Sequence, residues 1–258
     1  MIPSLFIAHG APSIVLEDNE FTHFLKKLGN KIPKPKAIVV FSAHYEGQKQ
    51  KIGAVSGQYE MIYDFYGFPE EMYYIQYPVM GDRKLAERIK KIFEESGIDS
   101  SLDRNRGIDH GAWTILKLIY PKIDIPVITL SLNPLLAPEE QYKIGKALSS
   151  LKKEDILIIG SGGIVHNLSE VTADAGDKIN NWAIEFDDWI NDKVKNWDLK
   201  QLFKYEELAP NSKRAVPRSE HFVTLLLAMG VGDEKRKATL LQRNFVLGNL
   251  SLSCISFE

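Results

Sequence analysis

Short apolar runs recur along this chain, each ending at a glycine, a proline or a histidine, and amphipathic stretches fall between them. Leu5 to Ala8 runs into His9-Gly10-Ala11-Pro12, which predicts a strand followed by a tight turn. Ala37 to Phe41 is continuously apolar and rich in β-branched residues, the pattern of a strand buried on both faces. Pro126 to Leu130 and Ile156 to Ile159 repeat that pattern, the second leading into Gly160-Ser161-Gly162-Gly163. Between the runs, Phe21 to Leu28 predicts a helix closed by Gly29-Asn30. Leu85, Ile89, Ile92 and Phe93 share one helical face ahead of Gly97, and Ile144, Leu148 and Leu151 do the same within 139–151.

The last third changes character. Trp182, Phe186, Trp189 and Ile190 mark a long helix, after which residues 198–217, charged and containing Pro210 and Pro217, read as an irregular connection. Phe222 to Met229 predicts a helix capped by Gly230, and the tail from Leu250 to Ile255 alternates like a strand with one exposed face. Strands and helices alternating at this spacing predict an α/β fold. The expected form is a three-layer sandwich: a central mixed, largely parallel sheet, an antiparallel edge at the end, and helices on both faces. No linker divides the chain, so one domain over 1–258 is expected, a length that suits one large α/β unit.

Composition narrows the partners. A formal net charge of -2 gives no general attraction to nucleic acid or to an anionic membrane. No segment is apolar enough to span a bilayer and the start lacks a signal-peptide pattern, so a cytoplasmic location is expected. The single cysteine, Cys254, cannot form an internal disulfide; within the alternating tail it reads as a buried strand thiol. Whether the chain forms a homo-oligomer is left open.

The candidate chemistry lies in the histidines. Five of the six stand at the ends of apolar runs or in glycine-rich turns: His9, His44, His110, His166 and His221. In open α/β sheets, ligands bind at the carboxyl ends of strands, and His9, His44 and His166 each fall at or just past such an end. Neutral imidazole is both the commonest transition-metal ligand and the commonest general acid/base near neutral pH. Several imidazoles on one sheet edge therefore predict a metal centre with proton-transfer groups beside it, although any one of them alone reads more readily as structural. His221, near a helix start, is kept neutral by the helix dipole. His23, mid-helix, is expected at the surface.

His110 sits in Arg106-Gly107-Ile108-Asp109-His110-Gly111, where Asp109 is a candidate to face the pocket and set the tautomer of its neighbour. An aromatic loop, Tyr63-Asp64-Phe65-Tyr66-Gly67-Phe68-Pro69 with Met72-Tyr73-Tyr74, walls a pocket through Tyr66 and Phe68, or else forms an aromatic mini-core or subunit contact. The turn at Gly160 lacks the lysine of a phosphate loop, and no serine-hydrolase elbow is present.

Ten segments in order give the chain a resemblance to the DODA-type branch of the class III (LigB-like) extradiol ring-cleavage dioxygenases, over essentially its whole length. They are His9-Gly10-Ala11-Pro12, Leu16-Glu17-Asp18-Asn19, Ser42-Ala43-His44, Asp64-Phe65-Tyr66-Gly67-Phe68-Pro69, Tyr77-Pro78, Gly107-Ile108-Asp109-His110-Gly111-Ala112-Trp113, Gly160-Ser161-Gly162, His166-Asn167-Leu168, Glu220-His221 and Gly248-Asn249-Leu250-Ser251. The chain departs from the family's habit at Tyr45, where tryptophan is common, and at Thr224, where proline is common. The resemblance implies ferrous iron or zinc on His9, His44 and His221, with His166 as a further ligand or acid/base and His110 as its catalytic companion. Glu220 stays an alternative ligand. It further implies cleavage of a catechol, DOPA-like or protocatechuate-like, by dioxygen, with ferrous iron as the cofactor for ring cleavage and zinc as an alternative bound metal. A zinc-dependent hydrolase and a non-catalytic metal-containing binding protein remain the competing readings.

Overall fold

Alternation along each strand decides how this chain layers itself, because successive side chains point to opposite faces of a sheet. In a computed structural model describing residues 2–122, 124–172, 175–176 and 178–258, Ile38 and Val40 pack into one apolar cluster while Val39 and Phe41 pack into another. Leu5 and Ile7 likewise oppose Phe6. Strands apolar at both parities must be covered on both sides, and they are.

The elements in chain order are β1 (Ser4–Ala8), α1 (Glu20–Lys31), β2 (Ala37–Glu46), β3 (Gln50–Gly53), α2 (Arg83–Glu95), β4 (Ser100–Asp103), α3 (His110–Ile119), β5 (Val127–Leu132), α4 (Pro138–Ala147) and β6 (Ile156–Gly162). They are followed by α5 (Asn181–Lys195), α6 (Leu199–Leu202), α7 (Tyr205–Leu208), α8 (Ser212–Ala215), α9 (Glu220–Val231), β7 (Ala238–Val246) and β8 (Leu250–Phe257). One eight-stranded sheet has the order β4-β3-β5-β2-β6-β1-β8-β7. Its centre, β5-β2-β6-β1, is parallel throughout. β3 joins β5, and β8 joins β1, in antiparallel fashion. Helices α1 and α3 cover one face; α2, α4, α5 and α9 cover the other. The expected three-layer α/β arrangement with a mixed sheet is what forms.

Three local expectations are corrected. Gly29 and Gly230 do not end helices: α1 runs on to Lys31 and α9 to Val231. A Cβ at Gly29 would lie 2.1 Å from the Ile119 carbonyl oxygen, and one at Gly230 would lie 2.1 Å from that of Tyr142. Both glycines permit close helix–helix approach, at the ordinary cost of about 1 kcal/mol in helix propensity. Second, 198–217 is not irregular but holds α6, α7 and α8. Third, β8 has no exposed face: all eight of its residues are buried, because β7 pairs outside it and takes the edge.

The architecture places the carboxyl ends of β1, β2 and β6 side by side and brings the amino ends of α3 and α9 to the same edge. Helix α9 is apolar all round and wholly buried. It can lie against β6 because Gly160 and Gly162 carry no side chain; a Cβ at Gly162 would fall 2.0 Å from the His221 carbonyl oxygen.

Candidate metal centre

Each of the five clustered histidines arrives by a different local device. His9 follows the last residue of β1, and Gly10, at φ +66°, turns the chain away. His44 lies in β2 beyond Phe41, where the pairing with β5 shifts register; such bulges re-aim side chains beside functional sites. His110 and His221 occupy the first turns of α3 and α9. His166 lies on the loop after β6, its backbone N–H donating to the Ala215 carbonyl at 2.9 Å. His23 stays apart, half-exposed in α1 and 2.6 Å from Asp18, as expected of a surface residue.

The rings of His9, His44 and His221 form a nearly equilateral triangle, with centroids 5.0, 5.1 and 5.1 Å apart. Their outer nitrogens are tied down. The Ser161 hydroxyl donates to the Gly111 carbonyl, so it receives the Nδ1–H of His9 at 3.0 Å. Glu220 Oε1 lies 3.0 Å from His221 Nδ1, and Asp64 Oδ2 faces His44 Nδ1 at 3.4 Å. A carboxylate only accepts hydrogen bonds, so the bond to Glu220 holds a proton on His221 Nδ1, and the negative charge of Asp64 beside His44 Nδ1 favours a proton there too; the lone pairs are left on Nε2.

The inner nitrogens then lack partners. The Nε2 atoms of His9 and His44 face each other at 3.1 Å, two lone pairs that repel unless a cation lies beside both. His221 Nε2 is buried with no hydrogen-bond partner. Two nitrogens 3.1 Å apart suit ligands that are each ~2.1 Å from one ion. Metal-competent atoms also fall into two groups, mutually within 4.8 Å: His9 with His44 and His110, and His166 with Glu220 and His221. The triangle of rings bridges these groups. Glu220 sets its Oε1 on His221, while its Oε2 is buried without a hydrogen-bond partner, so it stays a candidate ligand beside His166 and His221.

Burial and crowding keep the rings neutral. Desolvation, followed by the neighbouring imidazoles, holds His9 and His221 well below the ordinary histidine range. The same causes, burial first, bring His44 and His166 down to about 4. His166 stacks on His221 at 3.5 Å with an interplanar angle of 10°, a face-to-face contact that two cations would not tolerate. Asp64 is ionised: burial pushes its carboxyl up, but the hydrogen bonds from His110 and the proximity of the His110 and His44 rings outweigh that and bring it to about 2.

All five rings line one cavity of about 440 Å³ at this edge of the sheet. Tyr66 and Phe68 line it too, Tyr66 at the mouth with 92% of its surface exposed. Aliphatic side chains, Val165, Leu250 and Leu252, complete the lining. Phe65 packs edge-on against His110 while Tyr63 and Tyr73 pack behind it, so the aromatic loop is at once a small core and a pocket wall. Asp109 is corrected. It is wholly buried and outside the cavity lining, accepting from Ser42 Oγ at 2.5 Å and from Arg106 at 3.1 Å. It braces β2 beneath His44, and burial raises its carboxyl pKa.

The role expected of Asp109 falls instead to Asp64, whose Oδ1 lies 2.9 Å from His110 Nδ1. The signal for it was a lone acid between Tyr63 and Phe65 in an otherwise apolar loop. Ser161 is a second residue that takes a role the sequence marks only by a hydroxyl at a strand end otherwise built of glycine. Neither departure from the family's habit lines the cavity. Tyr45 is buried, its hydroxyl 2.8 Å from Asp103 and its ring beneath Arg106. Thr224 donates to the His221 carbonyl at 2.8 Å.

The family model of the catalytic LigB subunit of aromatic ring-opening dioxygenases matches residues 3–253. The chain belongs to the LigB family. It is 40% identical over 258 residues to a 4,5-DOPA dioxygenase extradiol of Beta vulgaris, covering 98% of this chain and 96% of that protein. A 4,5-DOPA dioxygenase extradiol of Escherichia coli K12 is 32% identical, covering 97% and 93%. A crystal structure of an uncharacterized Escherichia coli K12 protein shares the fold with a TM-score of 0.85 at 29% identity, over 100% of both chains. Membership makes this LigB protein an aromatic ring-opening dioxygenase. Among the described residues no helix is long and apolar enough to cross a membrane.

Proposed function

We propose that this enzyme opens a catechol ring beside the diol, adding both atoms of dioxygen. In this reading His9, His44 and His221 hold ferrous iron while His110 and His166 move protons. The observation that carries the reading is the even triangle of three rings, each with Nδ1 facing an acceptor, in which His9 and His44 face each other at Nε2 and His221 Nε2 is buried without a partner. Ferrous iron held there supplies the electrons that dioxygen activation needs, which zinc, having no accessible redox change, does not.

The protein's own part is orientation and proton transfer. His110 takes a diol proton at Nε2 while its Nδ1–H stays on Asp64, which stabilises the imidazolium that results. His166 lies against His221 with Glu220 nearby, and it serves as the second proton carrier in the cavity. Phe68, Tyr66, Leu250 and Leu252 line the cavity, hold a flat ring and keep water out. The names of the relatives support a DOPA-like catechol as substrate. Cys254, a buried free thiol, supports work in a reducing compartment such as the cytoplasm.

The test is aerobic turnover of the iron-loaded protein against L-DOPA, protocatechuate and 4-methylcatechol. Oxygen uptake should match a yellow semialdehyde product mole for mole. Zinc-loaded protein and anaerobic samples should give none. If the iron-loaded protein opens no catechol, the proposal falls.

A further inference from the structure

Asp64 does more than steady the imidazolium of His110. One carboxylate faces two imidazoles of different roles. Its Oδ1 lies 2.9 Å from His110 Nδ1 and also receives the His110 backbone N–H at 3.2 Å. Its Oδ2 lies 3.4 Å from His44 Nδ1. The two rings are themselves only 4.0 Å apart between centroids. We infer that Asp64 is a shared positioning residue: it fixes the tautomer and orientation of the metal-facing His44 and of the proton-carrying His110 together. This rests on the ligand and base assignments proposed above.

The chemistry requires a carboxylate there. Each ring must present a lone pair at Nε2, one to a cation and one to a substrate proton, so each must carry its hydrogen on Nδ1. Two Nδ1–H donors converging on one side chain need two acceptor atoms and no donor. An asparagine supplies one oxygen and one NH2, so it can satisfy only one ring and drives the other toward the Nε2–H tautomer. Asp109 cannot take over, because Ser42 and Arg106 already hold its two oxygens. Nor is the loop free to drift. Tyr63, one residue before Asp64, donates to the Ile75 carbonyl at 2.7 Å, and Phe65, one residue after, packs on His110 and Trp113.

The experiment is nitrogen-15 NMR of the histidine rings in metal-free and zinc-loaded protein, for wild type and for Asp64→Asn and Asp64→Glu, alongside kinetics of the iron-loaded forms. The wild-type rings of His44 and His110 should both be protonated at Nδ1 only. Asp64→Asn should switch one of them to Nε2–H and lower kcat by about 10- to 100-fold with KM nearly unchanged, the usual range for losing a group that orients a ligand. Asp64→Glu, which keeps both acceptors, should retain the wild-type tautomers and regain part of kcat. Wild-type rings protonated at Nε2 would overturn the inference without any variant, so a variant that fails to fold does not shelter it. An Asp64→Asn enzyme with both rings still protonated at Nδ1 and with wild-type kcat would overturn it as well. If the wild type opens no catechol, the functional reading fails, and the tautomer measurement still decides the role of Asp64.

Discussion

A histidine in this protein is defined by what its Nδ1 touches. His9 meets a serine, His221 a glutamate, His44 and His110 one shared aspartate, and each contact turns an Nε2 lone pair toward the cavity. His23 has an aspartate partner too, but in solvent, where nothing gathers around its free nitrogen. Two expectations follow. His9→Ala should lose stoichiometric metal and lower kcat by more than about 100-fold, beyond the loss typical of groups behind the ligands, whereas His23→Ala should leave both unchanged. Metal analysis by mass spectrometry beside an oxygen-electrode assay checks this, and retention of metal and turnover in His9→Ala would remove that ring from the ligand set. His110→Asn should keep its metal yet lose about 10²- to 10⁴-fold in kcat, the range for a positioned general base. Equal losses of metal and rate would instead make His110 a ligand.

At the scale of elements, the site depends on how closely α9 approaches β6. Gly160 and Gly162 leave room for the carbonyls of Thr224 and His221, so the first turn of α9 delivers its imidazole directly over the end of β6. Gly162→Ala puts a methyl group 2.0 Å from the His221 carbonyl oxygen. The helix must then shift, at a cost of about 1–3 kcal/mol, and metal affinity should fall with it. Chemical denaturation and a zinc competition titration measure the two losses. Unchanged affinity would mean that α9 has more freedom here than its buried surroundings imply.

For the whole molecule, four neutral histidines, two buried and two half-buried, make stability depend on pH. Burial, with crowding by like rings, holds all four below the ordinary value of 6.5, His44 and His166 at about 4. Between those values the unfolded chain binds protons that the folded chain refuses, so folding loses free energy as the pH falls from 6.5 toward 4. The metal-free protein should therefore show a Tm that drops steadily across that window. Bound metal should raise the Tm at every pH above it and lose affinity as protons compete for the rings. A Tm of the metal-free protein that is flat from pH 7 to pH 4.5 would contradict the burial of these rings as neutral groups.

The apolar alternation of Ala37 to Phe41 and its sister runs was enough to dictate strands covered on both faces, hence the layered α/β fold. Histidines at the ends of those runs were enough to mark one edge of the sheet as reactive. Local pattern carries that much because strand parity and strand ends are properties of the chain itself. It misjudged Gly29 and Gly230, since a helix tolerates glycine wherever a neighbouring backbone needs the space, and that neighbour lies far away in sequence. It chose Asp109 over Asp64 for the same reason: adjacency along the chain favoured the first, while the second reaches His110 only because the aromatic loop folds back across α3. Which nitrogen faces inward, and which acid or hydroxyl holds the other, was settled by tertiary contacts alone, because a hydrogen bond is decided by distance in space.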